Sequence, residues 1–142
     1  MAAYVKYLLG IEKMMEAGNA GTDTWQLILS NTTPTVATDT TAASATELGT
    51  AGGYTAGGVN CTITSAVSTA GVYKLVLAAP VSPTWTASGG GFTFRYVILY
   101  NLTLTQCIGY WDYGVGGVTM NGTNADTFTP TLDAAGGTFT VT

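Results

Sequence analysis

Hydrophobic side chains recur along this chain with two periods, and the change of period divides it. Between residues 3 and 17 the spacing is helical. Tyr4, Leu8, Ile11 and Met15 form one stripe, and Gly18 followed by Asn19 supplies a C-cap. Val5, Tyr7, Leu9 and Met14 widen the stripe most of the way round, leaving Lys6, Gly10, Lys13 and Glu16 for solvent. The predicted N-terminal helical unit, residues 1–20, therefore carries more apolar surface than one sheet face covers with ease. Two readings stand side by side: the helix packs on its own domain, or it docks through Tyr4, Leu8, Ile11 and Met15 into a neighbouring subunit. On the second, removal of residues 1–18 leaves the rest of the chain folded and weakens attachment.

From Thr24 onward the period falls to two. The runs 24–30 (TWQLILS), 59–65 (VNCTITS), 71–79 (GVYKLVLAA), 92–101 (FTFRYVILYN), 106–114 (QCIGYWDYG), 125–132 (ADTFTPTL) and 137–142 (GTFTVT) are rich in β-branched and aromatic residues, with Gly, Asn, Ser, Pro and Asp between them. This spacing predicts a mainly β fold. We expect an antiparallel β-sandwich or jelly roll of about seven or eight strands over residues 21–142, with one N-terminal α-helix. The stretch 31–58 is built of small and polar residues and has little apolar content before Leu48 and Tyr54, which predicts a long flexible loop or extended arm.

In FTFRYVILYN both faces are apolar: Phe92, Phe94, Tyr96, Ile98 and Tyr100 alternate with Thr93, Arg95, Val97, Leu99 and Asn101. That pattern predicts an inner strand. A hairpin through residues 102–105 that sets Asn101 against Gln106 also sets Leu99 against Ile108, Val97 against Tyr110 and Arg95 against Asp112. Arg95 and Asp112 are thus a predicted structural ion pair, because a covered cation without a partner is costly. On the other face the same register matches Tyr96 with Trp111 and Phe94 with Tyr113.

Composition narrows the function classes. Charged residues are 8% of the 142 positions and the mean hydropathy is +0.31, against about 25% charge in ordinary soluble domains. So little charge predicts a surface partly covered by partners. The net charge of −4 and the scatter of Lys6, Lys13, Lys74 and Arg95 speak against nucleic acid as a partner. Lys6, Glu12, Lys13 and Glu16 interrupt the longest apolar stretch, which predicts neither a membrane span nor a signal peptide. Cys61 and Cys107 are then expected to be free thiols of a protein assembled in a cytoplasm.

The chain has no histidine, so Ser-His-acid and Cys-His catalysis and the commonest metal sites have no ligand or base to use. Asp126 and Asp133 sit among Gly, Asn and Ala and read as turn residues rather than a carboxylate pair. No catalytic residue, cofactor or metal site is expected. Among the aromatics, Trp85 in SPTWTASGG reads as a loop residue, and with Tyr54 it is the candidate contact for a glycan. Trp25 and Trp111 fall in strand patterns and read as core.

The segments GTDTWQLILSNTTPT (21–35), GGYTAGG (52–58), TAGVYKLVLAAPVSPTWTASGGGFTFRYVILYN (69–101) and IGYWDYG (108–114) resemble a family of small structural proteins of tailed bacteriophages. The N-terminal helix departs from the family's more polar, amphipathic one. The resemblance implies a virion component, on head or tail. Two functions follow: a capsid decoration or cement protein, a homo-oligomer in contact with the major capsid protein and with copies of itself, or a tail or head-fibre module that binds a bacterial surface glycan through Trp85 and Tyr54.

Overall fold

A computed structural model describes residues 2–78 and 84–141, without the side chains of Ile11, Glu12, Met15 and Glu16. The fold is mainly β and its sheets are antiparallel. Residues Tyr4–Lys6 form β1, Leu8–Ala17 α1, Trp25–Ser30 β2, Val59–Asn60 β3, Thr62–Thr69 β4 and Val72–Ala78 β5. Trp85–Thr86 is β6, Phe92–Phe94 β7, Tyr96–Asn101 β8 and Gln106–Asp112 β9. Val118–Met120 is β10, Thr127–Phe128 β11 and Phe139–Val141 β12. A five-stranded sheet runs β1-β9-β8-β2-β3, a three-stranded sheet runs β12-β5-β4, and β10-β7 and β11-β6 are two-stranded ribbons.

The main core lies between the five-stranded sheet, the three-stranded sheet and the ribbons. Trp25, Leu27, Leu29, Val97, Leu99, Ile108 and Trp111 enter it from the first, Leu75, Leu77 and Phe139 from the second, and Trp85, Phe94 and Met120 from the ribbons. The opposite face of the five-stranded sheet is buried as well. Ile28, Tyr96, Ile98, Tyr100 and Cys107 form a second cluster there with Tyr7 and Ala45. A strand buried on both faces needs apolar residues at both parities, which is what FTFRYVILYN displays.

The cover over that second face is the segment predicted as a flexible arm, and this is a correction. Residues 31–58 fold back in successive turns. The hydroxyl of Ser30 donates to the carbonyls of Ala45 and Thr46 at 2.9 and 2.8 Å. Beyond the two residues paired with β3, the ladder groups of Leu29 in β2 are met from this segment: Leu29 N–H donates to the Tyr54 hydroxyl at 3.1 Å, and Leu48 N–H to the Leu29 carbonyl at 2.8 Å. Small residues suit this role because their backbone lies close enough to complete the ladder.

The N-terminal unit is also corrected. Its first residues extend the five-stranded sheet, with Tyr4 opposite Trp111 and Lys6 opposite Gly109, and the helix starts only at Leu8. The Tyr4 ring lies over Gly109, where a Cβ has no room. Gly10 similarly lets α1 press on the Cys107 carbonyl of β9. Hydrogen bonds from Tyr7 N–H to Ile108 O and from Leu8 N–H to Val36 O, both 2.9 Å, fix the entry to the helix. At its far end Gly18 N–H caps the Met14 carbonyl, and buried Asn101 donates to Asp23 at 2.8 Å and to the Met14 sulfur at 3.3 Å. Residues 2–20 thus pack into the β-domain through β1 and α1.

Candidate functional site

The predicted ion pair forms, through a register other than the expected one. Asn101 does face Gln106, but a β-bulge follows, so that Leu99 faces Gly109, Val97 faces Trp111 and Tyr96, not Arg95, faces Asp112. Ile108 is the extra residue. On the other strand Arg95 stands between β7 and β8 as a bend, and the face pattern slips by one there. Before the bend Phe94 enters the main core, whereas after it Val97 and Leu99 do, and Tyr96, Ile98 and Tyr100 turn to the second face. The two slips compensate. Arg95 ends diagonal to Asp112 and grips it with both ends of its fork, Nε to Oδ1 and Nη2 to Oδ2 at 2.8 Å each.

The aromatic ladder is corrected by the same shift. Phe94 does meet Tyr113, edge to face with centroids 6.0 Å apart, but Tyr96 meets Tyr110, and Trp111 meets Tyr4 at 4.8 Å. The ion pair is also less covered than expected: the two side chains are 31% and 35% exposed. A bidentate grip organises the chain at the bend, while solvent weakens its energetic weight. The hydrogen bond from Arg95 holds the Asp112 carboxyl down to about 2, against an opposing effect of burial, and the N–H of Gly114 assists.

An unfolded aspartate titrates at about 4. The folded value is the lower one, so the pair's contribution is complete above that pH and disappears as the pH falls towards 2. In denaturation measured against pH, the parent is expected to lose an increment over that window which the doubly substituted chain, Arg95→Met with Asp112→Leu, does not. At neutral pH the double variant is expected to unfold close to the parent midpoint and each single variant below it. Singles as stable as the double would show that the two side chains are not coupled.

Of the four residues assigned to docking, the structure separates two. Tyr4 packs inward against Trp111, and among the described residues its buried hydroxyl has no hydrogen-bond partner, so its ring is committed to the sheet. Burial raises its pKa. Leu8 is 63% exposed on the first turn of α1, and Val5 and Leu9 beside it in the chain are exposed too. The side chains of Ile11 and Met15 lie outside the described residues. Among the described residues, the exposed apolar surface of this unit is at the start of the helix.

The glycan surface is corrected outright. Trp85 is 4% and Tyr54 1% exposed. Trp85 stands on a strand, opposite Phe128, and its ring stacks on that ring at 16° with centroids 6.0 Å apart. Tyr54 donates its hydroxyl to Glu47 at 2.6 Å and accepts from Leu29 N–H. Neither ring has a face free for a sugar.

Burial pushes both free thiols, Cys61 and Cys107, up to about 12, which leaves them protonated and poor nucleophiles at neutral pH. Asp126 and Asp133 accept from nearby backbone N–H groups, Asn121 in one case and Ala135 and Gly136 in the other, as turn aspartates do. Among the described residues no three His, Cys, Asp or Glu side chains gather at one place, and no helix is long and apolar enough to cross a membrane.

Sequence reasoning missed an apolar cleft of about 320 Å³ between the end of α1 and the three-stranded sheet, lined mainly by Met14, Ala20, Tyr73, Phe139 and Val141. Among the described residues that line it there is no carboxylate, lysine or arginine. Its walls come from three distant parts of the chain, so no local pattern announces it. Comparisons with family models, with curated proteins and with solved structures give no match to this chain.

Proposed function

We propose that this protein is a structural component of a bacteriophage virion, a capsid decoration or cement protein that strengthens contacts between major capsid proteins and performs no turnover. The observation that carries the reading is the exposed apolar surface of Val5, Leu8 and Leu9 in a chain with 8% charged residues. Exposed leucine on a helix is the kind of anchor that a groove on a partner takes up. The resemblance to small structural proteins of tailed phages supports the same reading, and so does the absence of histidine. The stacking of the five-stranded on the three-stranded sheet supports a β-sandwich, with the jelly roll as the variant to be decided by strand connections.

The mechanism is additive burial. A standard interface removes about 1,600 Å² from water, and repetition over a shell stabilises each capsomer junction by mass action. Self-association of copies belongs to the same proposal. The glycan-binding alternative loses the two aromatic residues on which it stood.

Leu8→Glu tests the docking role. An acid at the first turn of a helix is favourable to the helix itself, so the variant is expected to keep the parent melting temperature. Its co-sedimentation with capsids of the phage should weaken by about tenfold or more. Unchanged attachment would remove Leu8 from the interface. Counting copies in images of the particle separates head from tail: hundreds on the head support decoration, and a few tens on the tail overturn it.

A further inference from the structure

β4 is the outermost strand of the three-stranded sheet, and Thr62 to Thr69 contain no acid, no base and no proline. Such residues ordinarily guard a sheet edge, because a row of unpaired N–H and C=O groups invites another strand. The bulge between Ile63 and Ser65 is the one guard present, and it leaves Ser65 to Thr69 in regular register with β5.

The turn decides which groups face outward. Ala70 and Gly71 have φ of 51° and 81°, the signs of a two-residue type I′ turn, so Thr69 and Val72 form the hydrogen-bonded pair that closes it. Alternation then directs the N–H and C=O of Val67 toward β5 and those of Ala66 and Ser68 away from it. Leu75, opposite Ala66, agrees: its carbonyl accepts from Thr138 N–H at 2.8 Å, on the β12 side of β5. Among the described residues nothing meets the outward groups of Ala66 and Ser68.

We propose that the β4 edge is a homotypic interface, through which two copies of the chain pair antiparallel and join their three-stranded sheets into one. The proposal rests on the self-association named above and gives it a site. With the twofold axis at Val67, Ala66 lies opposite the partner subunit's Ser68, so both residues have their outward groups aimed across the junction. Val67 then lies opposite the partner subunit's Val67, in the closer, non-hydrogen-bonded kind of pair with Cα atoms about 4.5 Å apart.

Val67 is 54% exposed, the exposed large apolar side chain of this strand. The axis thus brings together the one pair of side chains that gains by meeting. An uncharged strand lies against its own copy with no like-charge penalty. Lys74, the cation across from Val67, is tied back, its Nζ donating to Ala135 O at 2.8 Å. These features favour a second copy over a foreign strand.

Sedimentation and light scattering of the full chain at micromolar concentration test the interface, with Val67→Lys and Ser68→Pro as variants. Ser68 N–H takes no part in the β4–β5 ladder, so proline there removes only an outward donor. The parent is expected to be dimeric, and each variant to raise the dissociation constant by about 100-fold or more while keeping the parent circular dichroism. Amide exchange at Ala66 and Ser68 should be slow in the parent, and at Ala66 fast in Val67→Lys. A parent that stays monomeric, or a folded Val67→Lys that stays as tightly dimeric, overturns the interface. Capsid binding is read separately: a monomeric parent that still attaches overturns the interface alone, and a dimer that ignores capsids overturns the capsid reading alone.

Discussion

A chain lacking residues 1–18 is expected to lose its cooperative thermal transition, or to retain one far below that of the parent. Tyr7 is fully buried and Met14 nearly so. Each buried side chain of this size contributes about 1.5–3 kcal/mol. The truncation also removes the strand that pairs with Tyr110 and Trp111, and uncovers Cys107 and Ile108 of β9. A domain of this size has about 5–15 kcal/mol in all, so the combined loss is of the same order as the whole. Thermal unfolding followed by far-ultraviolet circular dichroism reads it. A truncated chain that melts sharply near the parent temperature would show that β1 and α1 are an independent appendage, as the stripe of Tyr4, Leu8, Ile11 and Met15 first suggests. For the same reason truncation is a poor test of docking, whereas Leu8→Glu changes the surface and spares the fold.

The periodic parts of the fold were legible because period is a local property. Each of the seven runs contains at least one strand, and TWQLILS, GVYKLVLAA and QCIGYWDYG hold β2, β5 and β9 almost to the residue. What was not legible depends on single-residue slips. The bulge at Ile108 and the bend at Arg95 each move the pairing by one, and both lie where the two faces of the strand are equally apolar. No polar residue marks which side faces solvent, so the pattern fits either register. The Arg95–Asp112 pair was found nonetheless, since the charges are scarce and the two slips nearly cancel.

The segment 31–58 shows a different blindness. Hydropathy reports side chains, and this segment covers the sheet largely with backbone and with Ala45, whose methyl group adds little to any profile. Tyr54 and Glu47 were visible as residues, but their link depends on a turn chemistry of small residues that composition reads as disorder. Of the candidate site, Leu8 was legible as part of an apolar stripe. Tyr4 was not, because three residues of strand at the start of a helical pattern fit both periods.

Trp85→Ala is expected to lower stability by about 3–5 kcal/mol, the range for removing a large aromatic from a packed interior. For a chain of this length that is a fall in melting temperature of roughly 6–20 °C. The ring packs with Phe128 and with Tyr54, and Phe128 in turn meets Phe94 at 4.8 Å and Tyr113 at 5.3 Å. Loss of the indole therefore leaves a hole bounded by several rigid rings, which close on it poorly. Among the described residues the strand that carries Trp85 has two residues and pairs with Thr127–Phe128, so ring contact contributes more than ladder length to holding that ribbon to the core. Trp85→Phe keeps a flat apolar ring in the cluster and should recover more than half of the loss. A Trp85→Ala chain with unchanged melting temperature would mean that the indole is outside the core and free for a ligand. The pair of substitutions thus separates a structural tryptophan from a sugar platform by stability alone.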